Sequence, residues 1–232
     1  MPVIGERVSV SVGKILLATD FSSVSDRASS YARALARRFS STVEIAHVFD
    51  PSVVTSYPEA IIGLPVKERG QINNENLERL RNEFSASGID AKTVSPEGHR
   101  PYAALLEVAT EHEVDLIVTG TQSKSSLERL VLGSTAEELI RNAACLVLTV
   151  GPKVKPLGDC PLVFRTIVYA TDFSVEATKA AIYALSFAED SGAHLYFCYV
   201  RSSQKGSPAE SDILDGAFQK AMKKMVPESS YD

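Results

Sequence analysis

The chain has 232 residues, a net charge of −5, 44% hydrophobic and 23% charged residues, the make-up of a globular protein large enough for one or two cores. An acidic excess, with basic residues gathered only in short pairs such as Arg37-Arg38 and Lys223-Lys224, argues against a nucleic-acid or anionic-membrane surface. No apolar run approaches the roughly 18 residues that span a bilayer, and Cys145, Cys160 and Cys198 are too scattered for a disulfide framework or a CxxC metal site, so a reducing cytoplasm is the expected compartment.

The first strong strand signal is Lys14 to Thr19, KILLAT, followed by Asp20, Phe21 and Ser22 and then a helical pattern near Val24 to Phe39. The alternation continues. Val43 to Phe49 reads as a strand, and Lys67 to Ser87 as a helix with Leu77, Leu80 and Phe84 on one face and Gly88 at its C-terminal cap. Ala91 to Ser95 reads as a short strand and Pro101 to Glu113 as a helix opened by proline. Leu116 to Thr119 carries no charge, as a strand buried on both faces does, and Leu146 to Val150 closes the set. Five strands with helices between them predict an open parallel α/β sheet, because each parallel crossover needs the connection a helix supplies. Ligands of such sheets sit outside the carboxyl ends of the strands, where the strand order reverses. The loops that begin at Thr19 and at Gly120 both lie on that edge. Asp50 to Val66, with three prolines and Gly63, reads either as a lid over the edge or as a long surface connection.

After Gly120 the chain runs through small polar residues around Leu127, Leu130 and Val131, and beyond Gly133 the residue Ser134 opens the helical pattern TAEELIRNA. A helix start offers unpaired N–H groups and a partial positive charge, and glycine lets a backbone approach a ligand closely, so a phosphate fits there. An ordinary strand-to-helix connection reads the same way. Ser134 or Thr135 can cap the helix or offer a hydroxyl, while Glu137 and Glu138 favour the dipole but repel an anion. GTQSKS hints at a Walker A loop, but Ser123 stands where the glycine before Lys124 is required and the spacing is short. Lys124 and Arg129 can meet phosphate oxygens or remain solvated. Asp20 can accept hydrogen bonds from an adenine amino group or ribose hydroxyls, approach a metal, or, with Ser22, cap the following helix.

Gly151 to Pro161, GPKVKPLGDCP, marks a domain boundary. Beyond it the chain repeats its start: ILLATDFS at Ile15 returns as IVYATDFS at Ile167, an offset of 152 that holds without a gap to Val48 against Val200. The second copy stops short. Ser207, Pro208 and Glu210 read as a capping-box start for a helix whose apolar stripe includes Ile213, Leu214, Phe218 and Met222, and no counterpart of Gly120 to Ser134 comes after it. The expected organisation is a tandem protein, its second copy truncated or degenerate, that associates through the open half as a homo-oligomer, most simply a dimer.

Gly120, two residues, Ser123, nine residues, Gly133 and Ser134 resemble the nucleotide-binding signature of the universal stress protein family: Gly, two, Gly, nine, Gly, Ser or Thr. Ser123 is the departure. If that position requires a left-handed backbone, a residue other than glycine costs about 1–2 kcal/mol, roughly ten- to thirtyfold in affinity. The resemblance implies an open, Rossmann-like, five-stranded parallel sheet of order 3-2-1-4-5 sandwiched by helices, with a partial β-α-β-α second copy. Together with the Pro/Gly-rich boundary and the internal repeat, it gives as the expected organisation a complete domain over 1–151, a Pro/Gly-rich linker over 152–164 and a partial repeat over 165–232. It further implies that Ala18, Thr19, Asp20 and Val48 hold an adenosine and that Gly120, Ser123, Gly133, Ser134 and Thr135 hold phosphates, with Thr121, Gln122 and Lys124 counted to the same loop. The ligand so implied is ATP, or AMP or ADP, with Mg. Asp172 repeats Asp20 without a phosphate loop opposite and reads as structural.

No catalytic constellation stands out: His47, His99, His112 and His194 fall in different elements, and GxSxG and HExxH are absent. The expected function is that of a cytoplasmic, nucleotide-responsive regulatory module rather than an enzyme. Two alternatives stand beside it, a dimerisation module with an empty pocket and a slow adenine-nucleotide hydrolase or transferase.

Overall fold

The computed structural model describes residues 10–51, 65–121, 132–158 and 160–200, together with positions 216 and 220. The chain divides into two compact units, one of them Val12–Leu162 and the other containing the described residues from Val163 onward. In the first unit the strands are β1 (Lys14–Ala18), β2 (Thr42–Ala46), β3 (Ala91–Val94), β4 (Leu116–Gly120) and β5 (Leu146–Val150). The helices are α1 (Ser23–Phe39), α2 (Val66–Ala86), α3 (Pro101–Glu111) and α4 (Ser134–Asn142). All neighbouring strands pair parallel in the order β3-β2-β1-β4-β5, the order the family resemblance implies.

The apolar runs are long because both faces of this sheet are covered. On one face Leu16, Ala18, Ala46 and Ile117 pack with Leu105, Val108 and Ala109 of α3 and Leu139 of α4. Side chains alternate along a strand, so Ile15, Leu17, Val43 and Ile45 point to the other face, where α1 and α2 lie and the Arg33 guanidinium sits 5.3 Å from the centre of the Phe84 ring. Full burial of a side chain the size of Leu16, Ile117 or Leu139 contributes about 1.5–3 kcal/mol, which makes this pattern the main determinant of the fold.

Strand lengths differ from the sequence pattern at one instructive place. The second strand stops at Ala46 rather than at Phe49, because β1 turns away after Ala18 and leaves Val48 without a neighbour on that side; Phe49 keeps a single bridge to Glu97 on the other. Of the connection from Asp50 to Val66, residues 52–64 lie outside the described residues, as do Leu127, Leu130, Val131 and Arg129 of the later loop and nearly all of the Ser207-to-Met225 helix pattern. The Pro/Gly-rich stretch after β5 lies along α1, where the Leu157 N–H donates to Ser30 Oγ (3.1 Å) and the Tyr31 hydroxyl to the Lys155 carbonyl (3.4 Å).

The second unit contains β6 (Thr166–Ala170), α5 (Val175–Ser191) and β7 (His194–Cys198), the strands paired parallel. Its core is Tyr169, Ala181 and Leu185 with Phe197 edge-on to Tyr169. The opposite face of this two-stranded sheet is open: Val168 is 62% and Tyr196 59% exposed, whereas Leu16, at the position equivalent to Val168, is fully buried.

The end of α2 confirms the role assigned to Gly88. Its N–H bonds the Ser85 carbonyl and the Ile89 N–H reaches back to the Phe84 carbonyl, the paired bonds of a Schellman motif, with buried Phe84 and Ile89 completing its apolar contact. Gly88 has φ +76°, and an added Cβ would meet nothing within 4 Å, so the cost of a side chain there is purely conformational. Gly88→Ala is expected to lower the unfolding free energy by about 1–2 kcal/mol and Gly88→Asn by less, as read from urea midpoints.

Candidate functional site

The site is built at the carboxyl edge of the sheet, where β1 and β4 lie side by side with Ala18 opposite Thr119. The chain leaves β1 through one more rung, Thr19 N–H to the Ala46 carbonyl (2.9 Å), and then turns sharply. Phe21 adopts a left-handed backbone (φ +58°), a conformation costly for an aromatic residue unless the surroundings fix it. Two side chains do so: Thr19 Oγ1 accepts the Phe21 N–H (3.0 Å), and Asp20 Oδ1 accepts the Ser22 N–H (3.0 Å). Ser22 is the N-cap of α1, its hydroxyl accepting the Ser25 N–H (3.3 Å). The cap and the turn are therefore one hydrogen-bonded unit.

Asp20 is exposed at the edge, with its carboxyl bonded inward. Partial withdrawal from water opposes its ionisation, but hydrogen bonds from Ser22 and Ser25 together outweigh that and hold the carboxyl below the ordinary carboxylate range. Beside it, His47 Nδ1 lies 2.9 Å from the Thr19 carbonyl oxygen. A carbonyl only accepts, so Nδ1 carries the hydrogen. The His47 ring stacks on Phe21 with centroids 4.5 Å apart. Burial lowers the His47 pKa, against the opposing pull of the Thr19 bond and the Asp20 charge, and the neutral ring is the resting state.

On the other side, β4 ends at Gly120. A Cβ added there would come 3.0 Å from Val24 Cγ1, 3.1 Å from the Val24 carbonyl carbon and 3.2 Å from the Ser25 nitrogen. Glycine at this position is thus favoured by the start of α1 packing tightly over the strand end, independently of any ligand. Thr121 is buried and both its N–H (2.9 Å) and its hydroxyl (3.4 Å) go to the Val150 carbonyl, which turns it toward β5. Gly133, with φ −65° and ψ 149°, is the N-cap of α4; no side chain caps this helix, and Ser134 and Thr135 are its first two residues rather than its cap.

Among the anticipated site residues, the structure therefore brings Ala18, Thr19, Asp20, Val48, Gly120, Thr121, Gly133, Ser134 and Thr135 to one edge. Ala18 is buried in the core and offers only its backbone. Gln122, Ser123 and Lys124 lie outside the described residues. Two contributors went unnoticed in the sequence, Phe21, whose strain only coordinates show, and Ser25, whose spacing of three from the capping Ser22 was the available signal. Among the described residues no group of three His, Cys, Asp or Glu side chains could hold a metal ion, and no helix is long and apolar enough to cross a membrane.

The same turn recurs in the second unit. Phe173 has φ +63°, its N–H donates to Thr171 Oγ1 (2.9 Å), the Ser174 N–H donates to Asp172 Oδ1 (2.9 Å), and Ser174 caps α5 through the Ala177 N–H (3.1 Å). Tyr199 stands on Phe173 as His47 stands on Phe21, with centroids 5.3 Å apart. A profile of the universal stress protein family matches residues 11–151 and again residues 164–224. The chain belongs to this family. Universal stress protein MJ0531 of Methanocaldococcus jannaschii is 37% identical over 141 residues, covering 59% of this chain and 81% of its own. Hypothetical protein MJ0577, of known structure, is 25% identical with a TM-score of 0.54, over 63% of this chain and 100% of its own. A universal stress protein structure from Archaeoglobus fulgidus DSM 4304 is 19% identical and shares the fold over 90% of this chain and 74% of its own, with a TM-score of 0.61.

Two measurements test this geometry. Gly120→Ala is expected to destabilise the protein by about 1–3 kcal/mol through overpacking against the α1 backbone, in the absence of any nucleotide, as read by denaturant unfolding. For His47 the folded pKa lies below the unfolded value near 6.5, so below that pH the unfolded chain binds more protons and stability falls as pH drops, levelling off once the folded pKa is passed. His47→Gln is expected to remove this part of the slope, so that the stability difference between wild type and variant changes between pH 7.5 and 5 and stays constant above.

Proposed function

We propose that this universal stress protein binds ATP, or a related adenine nucleotide, at the carboxyl edge of its first unit and acts as a nucleotide-responsive regulatory module. The observation that carries the reading is the backbone of Val48. In β2 and its continuation, Thr42 and Ala46 bond toward β1 while Val43, His47 and Phe49 bond toward β3, so Val48 faces the β1 side. There β1 has already turned away, and among the described residues neither the N–H nor the carbonyl of Val48 has a hydrogen-bond partner. An adjacent backbone donor and acceptor beside a half-buried valine is what the edge of an adenine requires, N–H to a ring nitrogen and carbonyl to the exocyclic amine.

The other parts of the nucleotide lie along the edge from there. Asp20 is ionised and accepts sugar hydroxyls, while the first turn of α4 at Gly133, Ser134 and Thr135 offers uncapped N–H groups to phosphates. Gln122, Ser123 and Lys124 belong to the same phosphate loop in this reading. A magnesium ion would enter with the nucleotide, held by its phosphates and at most one carboxylate, a common arrangement for that ion. The reading also includes a cytoplasmic location, consistent with three free cysteines, and self-association, supported by the open face at Val168 and Tyr196.

The recurrence of the Thr-Asp-Phe-Ser turn in the second unit favours one other reading, in which the turn is kept for structure and the pocket stays empty. Calorimetry separates the two. ATP is expected to bind the wild type; Val48→Pro, which removes the unpaired N–H and alters the valine's packing on the core, is expected to weaken binding roughly tenfold or more, and Val48→Ala, which trims the packing and keeps the N–H, by less. A wild type that gives no heat with ATP, and a Ser123→Gly variant that does, would support the empty pocket.

A further inference from the structure

We infer that Ser25 is a positioning residue for the nucleotide site, whose hydroxyl holds one oxygen of Asp20 so that the other is left to accept a ribose hydroxyl. The inference rests on the nucleotide-binding function proposed for this edge and adds the device that orients its carboxylate. Ser25 lies in the first turn of α1, 5% exposed, and its hydroxyl donates to Asp20 Oδ1 at 2.5 Å. It stands 3.3 Å from the Asp20 N–H as well, as the acceptor of that group. With the Ser22 N–H also on Oδ1, two bonds end on the same oxygen and none of the described residues bonds Oδ2. A carboxylate gripped at one oxygen by charge-assisted bonds has lost its freedom to rotate, and its second oxygen keeps its acceptor capacity.

The second unit shows that the fold does not need this hydroxyl. Residue Ala177 occupies the position equivalent to Ser25, yet the turn, the left-handed phenylalanine and the serine cap are all present there. What Ser25 adds is the grip on the carboxylate. Its backbone nitrogen also lies over Gly120, 3.2 Å from where a Cβ on that glycine would stand, so the residue that fixes Asp20 rests on the strand from which the phosphate loop departs. Among the described residues, the ionisable side chain that feels Asp20 from the neighbouring strand is His47, which burial keeps neutral.

The test joins carboxyl-carbon NMR titration of the full chain, with Asp172 as internal reference, to calorimetry with ATP. Ser25→Ala is expected to raise the Asp20 titration midpoint, because a donor to the charged form is lost, to leave Asp172 unmoved, and to weaken ATP binding roughly tenfold. Ala177→Ser is expected to lower the Asp172 midpoint and leave Asp20 where it was. A Ser25→Ala protein whose Asp20 midpoint stays in place overturns the inference, whatever happens to affinity. A raised midpoint with unchanged ATP affinity overturns the positioning role as well. Should the wild type bind no adenine nucleotide, the nucleotide-binding function fails, and with it the ligand assigned to Oδ2, while the titration still decides whether Ser25 fixes Asp20.

Discussion

The pairing of β1 with β4 is the constraint on which the rest of the first unit depends. These strands are far apart in sequence, and they are joined where they begin by the Asp115 carboxylate, which accepts the N–H groups of Gly13 (2.8 Å) and Lys14 (2.9 Å), and by the Asp115 N–H to the Lys14 carbonyl (3.0 Å). The resulting register puts Ala18 beside Thr119. From β1 the chain crosses one face of the sheet to β2, and from β4 it crosses the other face to β5, so the connections part at the carboxyl ends and leave a gap between them. Asp20 and the start of α4 come to the same edge of the sheet because of the pairing, and no local feature of either loop would bring them there.

The duplicated turn shows how one local structure can serve two environments. In both units a threonine hydroxyl and an aspartate oxygen hold a phenylalanine in the left-handed region, and a serine caps the helix that comes next. The turn is self-contained, because every bond that fixes it is made within seven residues. The surround differs. In the first unit β4 lies alongside and Gly120 lets α1 close over it, whereas β6 has only β7 as a partner among the described residues. A motif repeated in sequence is in this case a repeated fold element, and the gap at the carboxyl edge is a property of the complete five-stranded sheet.

Gly120 makes the same point in reverse. Its place in the Gly, two, Ser, nine, Gly spacing suggests a backbone bared for a phosphate, but Val24 and Ser25 stand 3.0–3.2 Å from where a Cβ would be. Thr121, next to it, is drawn to Val150 and away from the gap. Glycine spacing therefore reports close packing as readily as ligand approach, and the two are told apart only by what stands opposite.

The alternation of strands and helices, the burial of the strands on both faces, the cap at Gly88 and the duplication are all legible in the residues, because each is written in near-neighbour patterns of apolar, turn and capping side chains. The family pattern carried the strand order with it. Other features are tertiary in origin: the second strand lets go at Ala46, Val48 is left with an unpaired backbone edge, Phe21 is strained under His47, and Ser25 grips Asp20. These arise from where β1 turns away from β2 and where α1 meets β4, contacts between residues distant in the chain that no local pattern encodes.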